Sequence, residues 1–340
     1  MAGLSTNVLV VNAGSTSLKL SVVADDDSTT TVASLAEAPP VDAVVHRVVH
    51  GGPRLERPVL IDDEVRAELD RAAELAPLHN VPALEAIDRA RAELPGVPHA
   101  AVFDTAFHAT IPEVASTYAL PRRWREEWGI RRYGFHGLSV AWSSERVPVP
   151  RLVVCHLGGG CSVTAVLDGC SVDTTMGFTP LEGVPMATRP GSIDPEILLF
   201  LLRHGAESPE TLERALEHES GLLALGGTAR VEELQSSDEP AARLALDVFC
   251  YRVAAAVAAL TAALGGLDAL VFTAGIGEGS AHVRERVCAR LGHLGIRLDV
   301  AANADAQPDR EVADDASAVR VVVVHAREDV VAARAARALL

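Results

Sequence analysis

The chain has 340 residues, enough for about two domains, and 49% of them are apolar, which suffices for two hydrophobic cores. The 46 acidic residues outnumber the 30 basic ones, and the lack of a basic run or zinc-finger spacing argues against nucleic-acid binding. The five cysteines include no CxxC pair and the N-terminus has no signal-peptide pattern, so we expect a reduced, cytoplasmic protein. The apolar stretch 241–264 contains three charged residues, which predicts a buried helix rather than a membrane span.

The first predicted element is a hairpin over residues 8–23, VLVVNAGSTSLKLSVV. The apolar run 8–11 predicts a buried strand, the small residues 12–15 predict a tight turn, and the alternation from Leu18 onwards predicts a second strand. Small residues leave the backbone N–H groups of a turn uncovered, which creates an anion-binding concavity. Lys19 is the only lysine in the chain and is therefore a candidate phosphate contact. An ordinary hairpin with a polar outer face is the alternative interpretation.

The next elements place two charged residues in apolar strands. Residues 41–49 predict a strand that contains Arg47, and residues 100–104 predict a strand that ends at Asp104. An unpaired charge is costly in an apolar strand, and open α/β sheets bind ligands at the carboxyl ends of their strands. Arg47 and Asp104 are therefore candidate site residues. Between the two strands we predict a helix at 62–76, capped by Asp62, and another that starts at Pro82.

The second half of the chain repeats the opening pattern after a polar, proline-rich boundary at 143–150. Residues 152–169 predict a strand, a turn over Gly158 to Gly160 and an alternating strand, so that His156 aligns with Asn12. We interpret this repeat as an internal duplication in which two glycine-bearing hairpins clamp a polyphosphate.

An irregular loop and a second glycine segment follow. Residues 176–194 are too rich in glycine and proline for a helix or a central strand, and loops of this length are often functional. Arg189 is the one basic residue of this loop. The elements predicted beyond it are a helix from Pro195, a strand and glycine turn at 270–279, a helix capped by Ser280, an acidic loop at 303–317, a strand at 320–324 and a closing helix from Glu328.

The motifs in these elements resemble those of the acetate kinase family, short-chain carboxylate kinases of the actin, Hsp70 and sugar-kinase superfamily. The matching stretches are, in chain order, NAGSTSLKL, HRVVHGG, PLHN, VFDTAFH, RRYGFHG, HLGGG, MGFTPLEGVPMATR, SIDP and FTAGIGE. The resemblance implies an α/β fold of two ribonuclease-H-like (actin-like ATPase) domains flanking a central cleft. It assigns residues 1–148, with the closing helix 328–340, to a carboxylate-binding domain and residues 149–327 to a nucleotide-binding domain.

The resemblance also implies a reaction, which is reversible phosphoryl transfer between ATP and acetate to give acetyl phosphate and ADP. The implied cofactor is Mg²⁺, with Mn²⁺ as an alternative ion, and the implied assembly is a homodimer. By resemblance, Asn12 and Glu328 hold the metal, Lys19 contacts the nucleotide phosphates, and Asp104, His136 and Arg189 are catalytic. Arg47 binds the carboxylate, and its methyl group is enclosed by Val49, Leu78, Phe135 and Pro180. The implied ATP-binding residues are His156, Leu157, Gly158, Gly159, Gly160, Thr228, Ala229, Arg230, Gly275, Ile276, Gly277, Glu278 and Gly279.

The chemistry of this reaction agrees with the implied residue types. A carboxylate has a pKa of roughly 4–5, so the nucleophile is already ionised at neutral pH and needs no general base. We therefore expect Asp104 to orient an arginine, or a water on Mg²⁺, rather than to remove a proton. Arg47 and Arg189 counter the repulsion between two anions, because a guanidinium binds carboxylate or phosphoryl oxygens in a bidentate manner. His136 is expected to neutralise charge on the transferring group.

Four positions depart from the family pattern. Gly159, Thr228 and Gly279 stand where asparagine, aspartate and asparagine are usual, and Asp329 stands where a second glutamate is usual. The chain is also shorter than typical members after the first hairpin. Because three of these positions concern nucleotide contacts, the phosphoryl donor is open between ATP, another nucleotide and pyrophosphate.

Three alternatives to an acetate kinase stay open. The first is a propionate or other short-chain acyl kinase. The second is a metal hydrolase built on His46, His50, His79 and His136, although these residues lack a known ligand spacing. The third is a nucleotide-binding sensor without catalytic activity.

Overall fold

The computed structural model describes residues 6–13 and 18–340 as an α/β protein. Its strands are β1 (Val8–Ala13), β2 (Leu18–Val23), β3 (Thr29–Val32), β4 (Ala43–Val48), β5 (Val59–Leu60), β6 (His99–Phe103), β7 (Arg151–Leu157), β8 (Cys161–Leu167), β9 (Cys170–Thr174), β10 (Ala269–Thr273), β11 (Arg310–Glu311) and β12 (Arg320–Val323). Its α-helices are α1 (Asp63–Ala73), α2 (Pro77–Glu93), α3 (Glu113–Ser116), α4 (Arg122–Trp128), α5 (Gly137–Arg146), α6 (Pro195–Arg203), α7 (Pro209–His218), α8 (Gly221–Gly226), α9 (Val231–Ser236), α10 (Pro240–Leu264), α11 (Ala274–Gly279), α12 (Ala281–Ala289), α13 (Val300–Ala304) and α14 (Glu328–Arg337). The turn predicted to bind an anion, at residues 14–17, lies outside the described residues.

The chain divides into two compact units. The first comprises Met1–Ala109, Phe135–Trp142 and Arg327–Leu340, and the second comprises Thr110–Gly134 and Ser143–Ala326. This division returns the closing helix to the first unit, but it differs from the expected boundary near residue 148 because residues 110–134 join the second unit. Arg132 ties them there, since its Nη1 donates to the carbonyls of Thr175 and Met176, each at 3.0 Å.

The six-stranded sheet of the first unit brings charged residues of separate strands together. Its strand order is β3-β2-β1-β4-β6-β5, with β1, β4 and β6 parallel to one another and β2 antiparallel to β1. Asn12 is the register partner of Lys19 on β2 and of Arg47 on β4. Helix α2 packs against β1 and β4, and α14 packs against β1, β4 and β6. The carboxyl ends of the parallel strands therefore carry the polar residues of the first hairpin and of β4.

The sheet of the second unit has the same topology. Its strand order β9-β8-β7-β10-β12-β11 repeats the first order, with β7, β10 and β12 parallel and β8 antiparallel to β7. His156 of β7 pairs with Thr273 of the parallel neighbour, just as Asn12 of β1 pairs with Arg47. The two equivalent sheets confirm the predicted α/β fold class and support the interpretation of an internal duplication.

One long apolar helix, α10, forms part of the core of the second unit. Among residues 6–13 and 18–340, this helix is the one whose length and composition would permit a membrane crossing. It packs along β7, β8 and β9 and buries, among others, Phe249, Val253 and Val257. Ten of its 25 residues are buried in the unit, and packing explains the apolar character of those positions.

Three predicted helix starts are confirmed. Asp62 accepts a hydrogen bond from Val65 N at 2.8 Å, and Ser280 accepts one from Val283 N at 3.1 Å. Asp194 caps α6, whose first residue is Pro195. These caps satisfy backbone N–H groups that have no partner within the helix, which is why the positions were readable from local sequence.

Three local predictions were wrong. Pro82 lies inside α2 and does not start a helix, because packing of Leu84 and Ile87 in the core maintains the helix across the one missing N–H. Residues 274–279 form a short helix, α11, rather than an open glycine turn. The predicted acidic loop at 303–317 contains the end of α13 and the short strand β11, which pairs with β12.

Candidate active site

Arg47, Asp104 and Asn12 form the centre of a polar cluster in the first unit. Arg47 Nε donates to Asp104 Oδ1 at 2.8 Å, Nη2 donates to Oδ2 at 2.5 Å, and Nη1 donates to Asn12 Oδ1 at 3.1 Å. Asp104 is buried and immediately follows β6, so this bidentate pair holds the guanidinium in one orientation. A guanidinium has five N–H donors, and two of those on Arg47 make no hydrogen bond within the described chain. They are available to an anionic ligand.

Glu328 and Lys19 add one negative and one positive charge to this cluster. The Glu328 carboxylate lies 3.7 Å from Arg47 Nε at the first residue of α14. Burial raises the pKa of Glu328, the positive charges of Arg47 and Lys19 oppose this rise, and Asp104 adds to it. Burial would lower the pKa of Arg47, but Asp104 and Glu328 outweigh burial and raise it, so Arg47 stays charged.

The oxygen atoms of Asn12 and Glu328 have the chemistry of a Mg²⁺ site. Mg²⁺ prefers oxygen ligands and is commonly held by one or two carboxylates together with substrate phosphates and water. Among residues 6–13 and 18–340, no group of three or more His, Cys, Asp or Glu is arranged to hold a metal ion. A site based on Asn12 and Glu328 would therefore need further ligands from substrate and water.

The same geometry gives no support to the metal-hydrolase alternative. His46 and Arg47 are adjacent in β4 and point to opposite faces of the sheet. His46 Nε2 lies 3.0 Å from His99 Nδ1, and burial, together with His99, lowers the pKa of His46 to about 3. His50 Nδ1 accepts from Gly52 N at 2.8 Å. These histidines have structural partners in the part of the chain that the structure describes.

A close backbone contact places His136 beside the end of β6. Gly137 N donates to the Asp104 carbonyl at 2.9 Å, and a Cβ at Gly137 would lie 2.3 Å from that oxygen. Only glycine fits there, which explains the glycine that ends the FHG motif. His136 has φ 61°, in the left-handed region that is uncommon for residues with a side chain and is enriched at functional sites.

The residues expected around a substrate methyl group differ in exposure. Phe135 and Val49 are buried, and the Phe135 ring lies edge-on to His50 with centroids 5.5 Å apart. Leu78 is 38% exposed. Pro180 belongs to the second unit, where its carbonyl accepts a hydrogen bond from Arg189. Of the four expected residues, the first unit thus supplies two buried apolar side chains and one partly exposed one.

His108 has a structural role that predicts an acid-dependent stability. Its Nε2 bonds the Phe135 carbonyl at 2.9 Å, and burial lowers its pKa to about 4, against the Phe135 carbonyl and Asp104, which raise it. The unfolded chain, with an imidazole pKa near 6.5, therefore binds more protons than the folded chain between about pH 4 and pH 6.5. The contribution of the neutral His108 side chain to the free energy of unfolding is complete above pH 6.5 and is lost as the pH falls towards 4.

We expect His108→Gln to have a smaller decrease in unfolding free energy between pH 7 and pH 5 than the unsubstituted protein. Urea unfolding followed by circular dichroism at both pH values measures this decrease. His293→Gln, a substitution in a 3₁₀ helix of the second unit, is the control. Equal decreases in His108→Gln and the unsubstituted protein would contradict the assignment.

The second unit brings two of the expected nucleotide-binding segments together. β7 and β10 are parallel neighbours, so the turn after β7 and the helix after β10 leave the same edge of the sheet. A Cβ built at Gly158 would lie 3.6 Å from Ala274 Cβ and 3.9 Å from Gly275 N. Residues 156–160 and 275–279 therefore form one continuous surface.

Arg189 lies next to this surface. Ala187 N bonds the Gly159 carbonyl at 3.3 Å, which attaches the irregular loop to the glycine turn. Arg189 Nη1 donates to the Pro180 carbonyl at 2.9 Å, and Nε lies 3.8 Å from Glu217. Burial lowers the pKa of Arg189, and Glu217 and Cys161 act against this shift. The loop thus holds a largely buried guanidinium at the edge of the glycine surface.

Thr228 and Arg230 share a carboxylate that the sequence did not indicate. Thr228 Oγ1 donates to Glu233 Oε2 at 2.6 Å, and Arg230 Nε lies 3.2 Å from Glu233 Oε1. Glu233 thus brings a carboxylate to the segment where Thr228 replaces the usual aspartate. Glu233 lies on the first turn of α9, three positions after Arg230 and five after Thr228, so these contacts are local.

The Glu278 carboxylate contacts three groups of the second unit. Its Oε1 accepts from Ala274 N at 2.9 Å and from Ala326 N at 3.0 Å, and Oε2 lies 2.7 Å from His325 Nδ1. The neighbouring residues Gly275, Ile276 and Gly277 offer backbone groups, whereas the Glu278 side chain is engaged within the unit.

The chain is similar to proteins of one family over most of its length. The family model described as the Acetokinase family matches residues 27–334. The acetate kinase of Protochlamydia amoebophila is 44% identical over 305 residues, covering 87% of this chain and 77% of that protein. The acetate kinase of Thermosynechococcus vestitus is 47% identical over 312 residues, covering 88% of this chain and 75% of that protein.

Two solved structures agree with these matches. A propionate kinase from Francisella tularensis has a TM-score of 0.91 at 31% identity, with 98% of this chain and 100% of that chain covered. The Porphyromonas gingivalis acetate kinase has a TM-score of 0.87 at 30% identity, with coverages of 98% and 99%. By sequence and by fold, the chain belongs to the acetokinase family.

Proposed function

We propose that this protein is a Mg²⁺-dependent carboxylate kinase that transfers a phosphoryl group reversibly between ATP and acetate. The single observation that carries the proposal is the Arg47 cluster. There the buried Asp104 carboxylate and Asn12 engage three of the five N–H donors of Arg47, and the other two make no hydrogen bond within the described residues and are available to an anion. Family membership supports the reaction class, and the curated relatives described above carry the name acetate kinase.

The proposed reaction joins two anions. A carboxylate oxygen of acetate, ionised without help from a base, forms a bond to the γ-phosphorus of ATP. The bond from that phosphorus to the β,γ-bridging oxygen breaks, and its electron pair leaves with ADP. In the reverse direction ADP attacks acetyl phosphate. Catalysis then consists mainly of positioning and of neutralising charge on the transferring group.

Each charged residue has one proposed task. Arg47 binds the acetate carboxylate, and Asp104 orients Arg47. Arg189 and His136 neutralise charge on the transferring phosphoryl group, and Lys19 contacts the phosphates. When bound, Mg²⁺ would lower the repulsion between phosphate oxygens, and Asn12 and Glu328 would hold it. The glycine segments 156–160 and 275–279, with Thr228, Ala229 and Arg230, would bind the nucleotide.

The experiment that tests this function traps the acyl phosphate. Purified protein incubated with acetate, ATP, Mg²⁺ and hydroxylamine should yield acetyl hydroxamate, which gives a coloured iron complex. Omitting acetate or ATP should abolish the colour. Binding of ATP without turnover on any acid of two to four carbons would instead support a nucleotide sensor.

The same assay identifies the preferred carboxylic acid and the preferred phosphoryl donor. Propionate is the second candidate acid, because the structure of a propionate kinase matches this chain closely. A panel of acetate, propionate and butyrate against ATP, GTP and pyrophosphate gives kcat/KM for each pair. We propose acetate and ATP as the best pair.

The proposed assembly is a homodimer formed through α6. This helix is mostly apolar, and none of its residues is buried. Ile197, Leu199, Phe200 and Leu202 are between 39% and 52% exposed. Apolar patches of this kind commonly mark protein interfaces.

We expect light scattering during size-exclusion chromatography to give the mass of two 35.8 kDa chains, and Phe200→Asp to give the mass of one. The reason is that a carboxylate buried in an apolar interface without a partner is strongly unfavourable. Val114→Asp, at an apolar residue that is 89% exposed in another part of the chain, should leave the mass unchanged. A dimeric Phe200→Asp protein would exclude α6 as the interface.

The proposed compartment is the cytoplasm. All five cysteines lie within the described residues and are free thiols, four of them buried. Burial raises the pKa of Cys161 and of Cys288 to about 12, which keeps these thiols protonated. Unreactive thiols are compatible with a reducing environment.

A further inference from the structure

The Glu278 carboxylate joins two chain segments that are far apart in sequence. One segment is the start of α11, where Ala274 N donates to Oε1. The other is the connection between β12 and α14, where Ala326 N donates to the same oxygen and His325 Nδ1 lies 2.7 Å from Oε2. Three donors from two segments therefore converge on one side chain that is 15% exposed.

Helix α11 is held in a strained conformation at its start. Ala274 has φ 66°, in the left-handed region that is unfavourable for a residue with a Cβ. The bond from Ala274 N to Glu278 closes this turn. At the other end, the buried Arg284 donates through Nη1 to the carbonyls of Gly277 and Glu278, at 2.9 and 2.7 Å. Such strain persists only where surrounding contacts define the backbone, and here Glu278 and Arg284 define it.

The connection that Glu278 holds leads directly to the proposed metal and carboxylate site. The chain leaves the second unit at Ala326 and enters the first at Arg327. The next residue, Glu328, begins α14 and pairs with Arg47. Only one residue therefore separates Ala326, whose N–H is bound by Glu278, from a residue of the Arg47 cluster.

We propose that Glu278 is a positioning residue that couples occupation of the glycine segment 275–279 by ADP or ATP to the order of the connection 325–327 and the start of α14. This inference rests on the proposed function, because it takes 275–279 to be part of the nucleotide site. A nucleotide that fixes the α11 backbone fixes Glu278, and Glu278 in turn fixes Ala326. Removing the carboxylate should uncouple the two segments without removing any atom of the backbone that faces the nucleotide.

Hydrogen exchange on the intact protein measures this coupling without turnover. The readout is the change in amide exchange of the peptide 325–331 on adding ADP and Mg²⁺ at saturation, as established by a fluorescent ADP titration. In the unsubstituted protein, we expect ADP to slow exchange in this peptide. In Glu278→Ala, ADP should bind with about tenfold weaker affinity, and saturation should leave exchange of 325–331 unchanged.

Two further variants separate coupling from general damage. Glu278→Gln keeps an acceptor oxygen for Ala274 N and Ala326 N, so it should retain most of the ADP-dependent protection. Asp309→Asn alters a contact to His325 N, 3.3 Å away, that does not involve α11, and it should behave like the unsubstituted protein. An ADP-dependent protection of 325–331 that is equal in Glu278→Ala and the unsubstituted protein would overturn this inference alone. Failure of the unsubstituted protein to bind ADP would overturn the proposed function as well.

Discussion

Replacing Arg189 by alanine should lower kcat by about 10³-fold or more while leaving the protein folded, because an arginine that neutralises a transferring phosphoryl group contributes 10³–10⁵-fold in other enzymes. The side chain is held by the Pro180 carbonyl and Glu217, so it is directed before substrate arrives. The substitution removes the proposed charge neutralisation in the transition state and leaves Arg47, the residue proposed to bind acetate, in place. The effect should therefore fall on kcat more than on the KM for acetate.

The measurement is steady-state kinetics by the hydroxamate assay, together with a thermal melt of each variant. Arg214→Ala is the matched control, because Arg214 is an exposed arginine of the same unit that pairs with Glu219. The control should keep full activity. An Arg189→Ala enzyme with an unchanged rate would remove Arg189 from the mechanism.

Asp104→Asn should lower kcat/KM for acetate by about a hundredfold, which corresponds to ~2.7 kcal/mol of lost interaction. An asparagine offers one acceptor oxygen and turns an NH₂ group towards a second donor of Arg47, so the bidentate hold on the guanidinium is lost. The expected rise in KM for acetate distinguishes an orienting residue from a general base, which would affect kcat. Breaking a buried ion pair from one side should also destabilise the fold by about 3 kcal/mol.

Asp88→Asn provides a matched control for this substitution. Asp88 also forms a bidentate pair with an arginine of the first unit, with Arg66 Nε and Nη2 each 2.8 Å from its oxygens, but it lies on the exposed side of α2. Exposed ion pairs contribute little, so the control should keep its activity and nearly all of its stability. A KM for acetate that is the same in Asp104→Asn and in the unsubstituted protein would contradict the orienting role.

Local sequence was informative wherever local energies decide structure. The apolar run and alternation in 8–23 predicted β1 and β2, and the residues Asp62, Pro195 and Ser280 predicted helix starts. Strand periodicity and helix capping depend on residues within a few positions, so the local sequence contains the information that predicts them. Pro82 was misjudged because its cost to a helix is offset by core packing, which is not a local property.

The sequence predicted which residues belong to the candidate site, but it did not predict which of them contact one another. Arg47 and Asp104 stood out because charged residues in apolar strands need partners, but 57 positions separate them and nothing in the chain stated that each was the partner of the other. Glu233 and Arg284 were missed for a different reason, because most of their partners are near in sequence. Backbone carbonyls, a hydroxyl and an amide carry no signal of their own, and the i,i+3 pair of Glu233 with Arg230 is of a kind common on exposed helices.

The sequence by itself determined the order of most strands and turns, the duplication of one sheet pattern and the family to which the chain belongs. Only the tertiary structure decided that Asp104 holds Arg47, that Gly137 is required by the Asp104 carbonyl and that Glu278 joins α11 to the entrance of α14. The physical reason is that periodicity and turn preference act within a few residues. Ion-pair partners and close backbone contacts are selected by the packing of elements that meet only when the chain has folded.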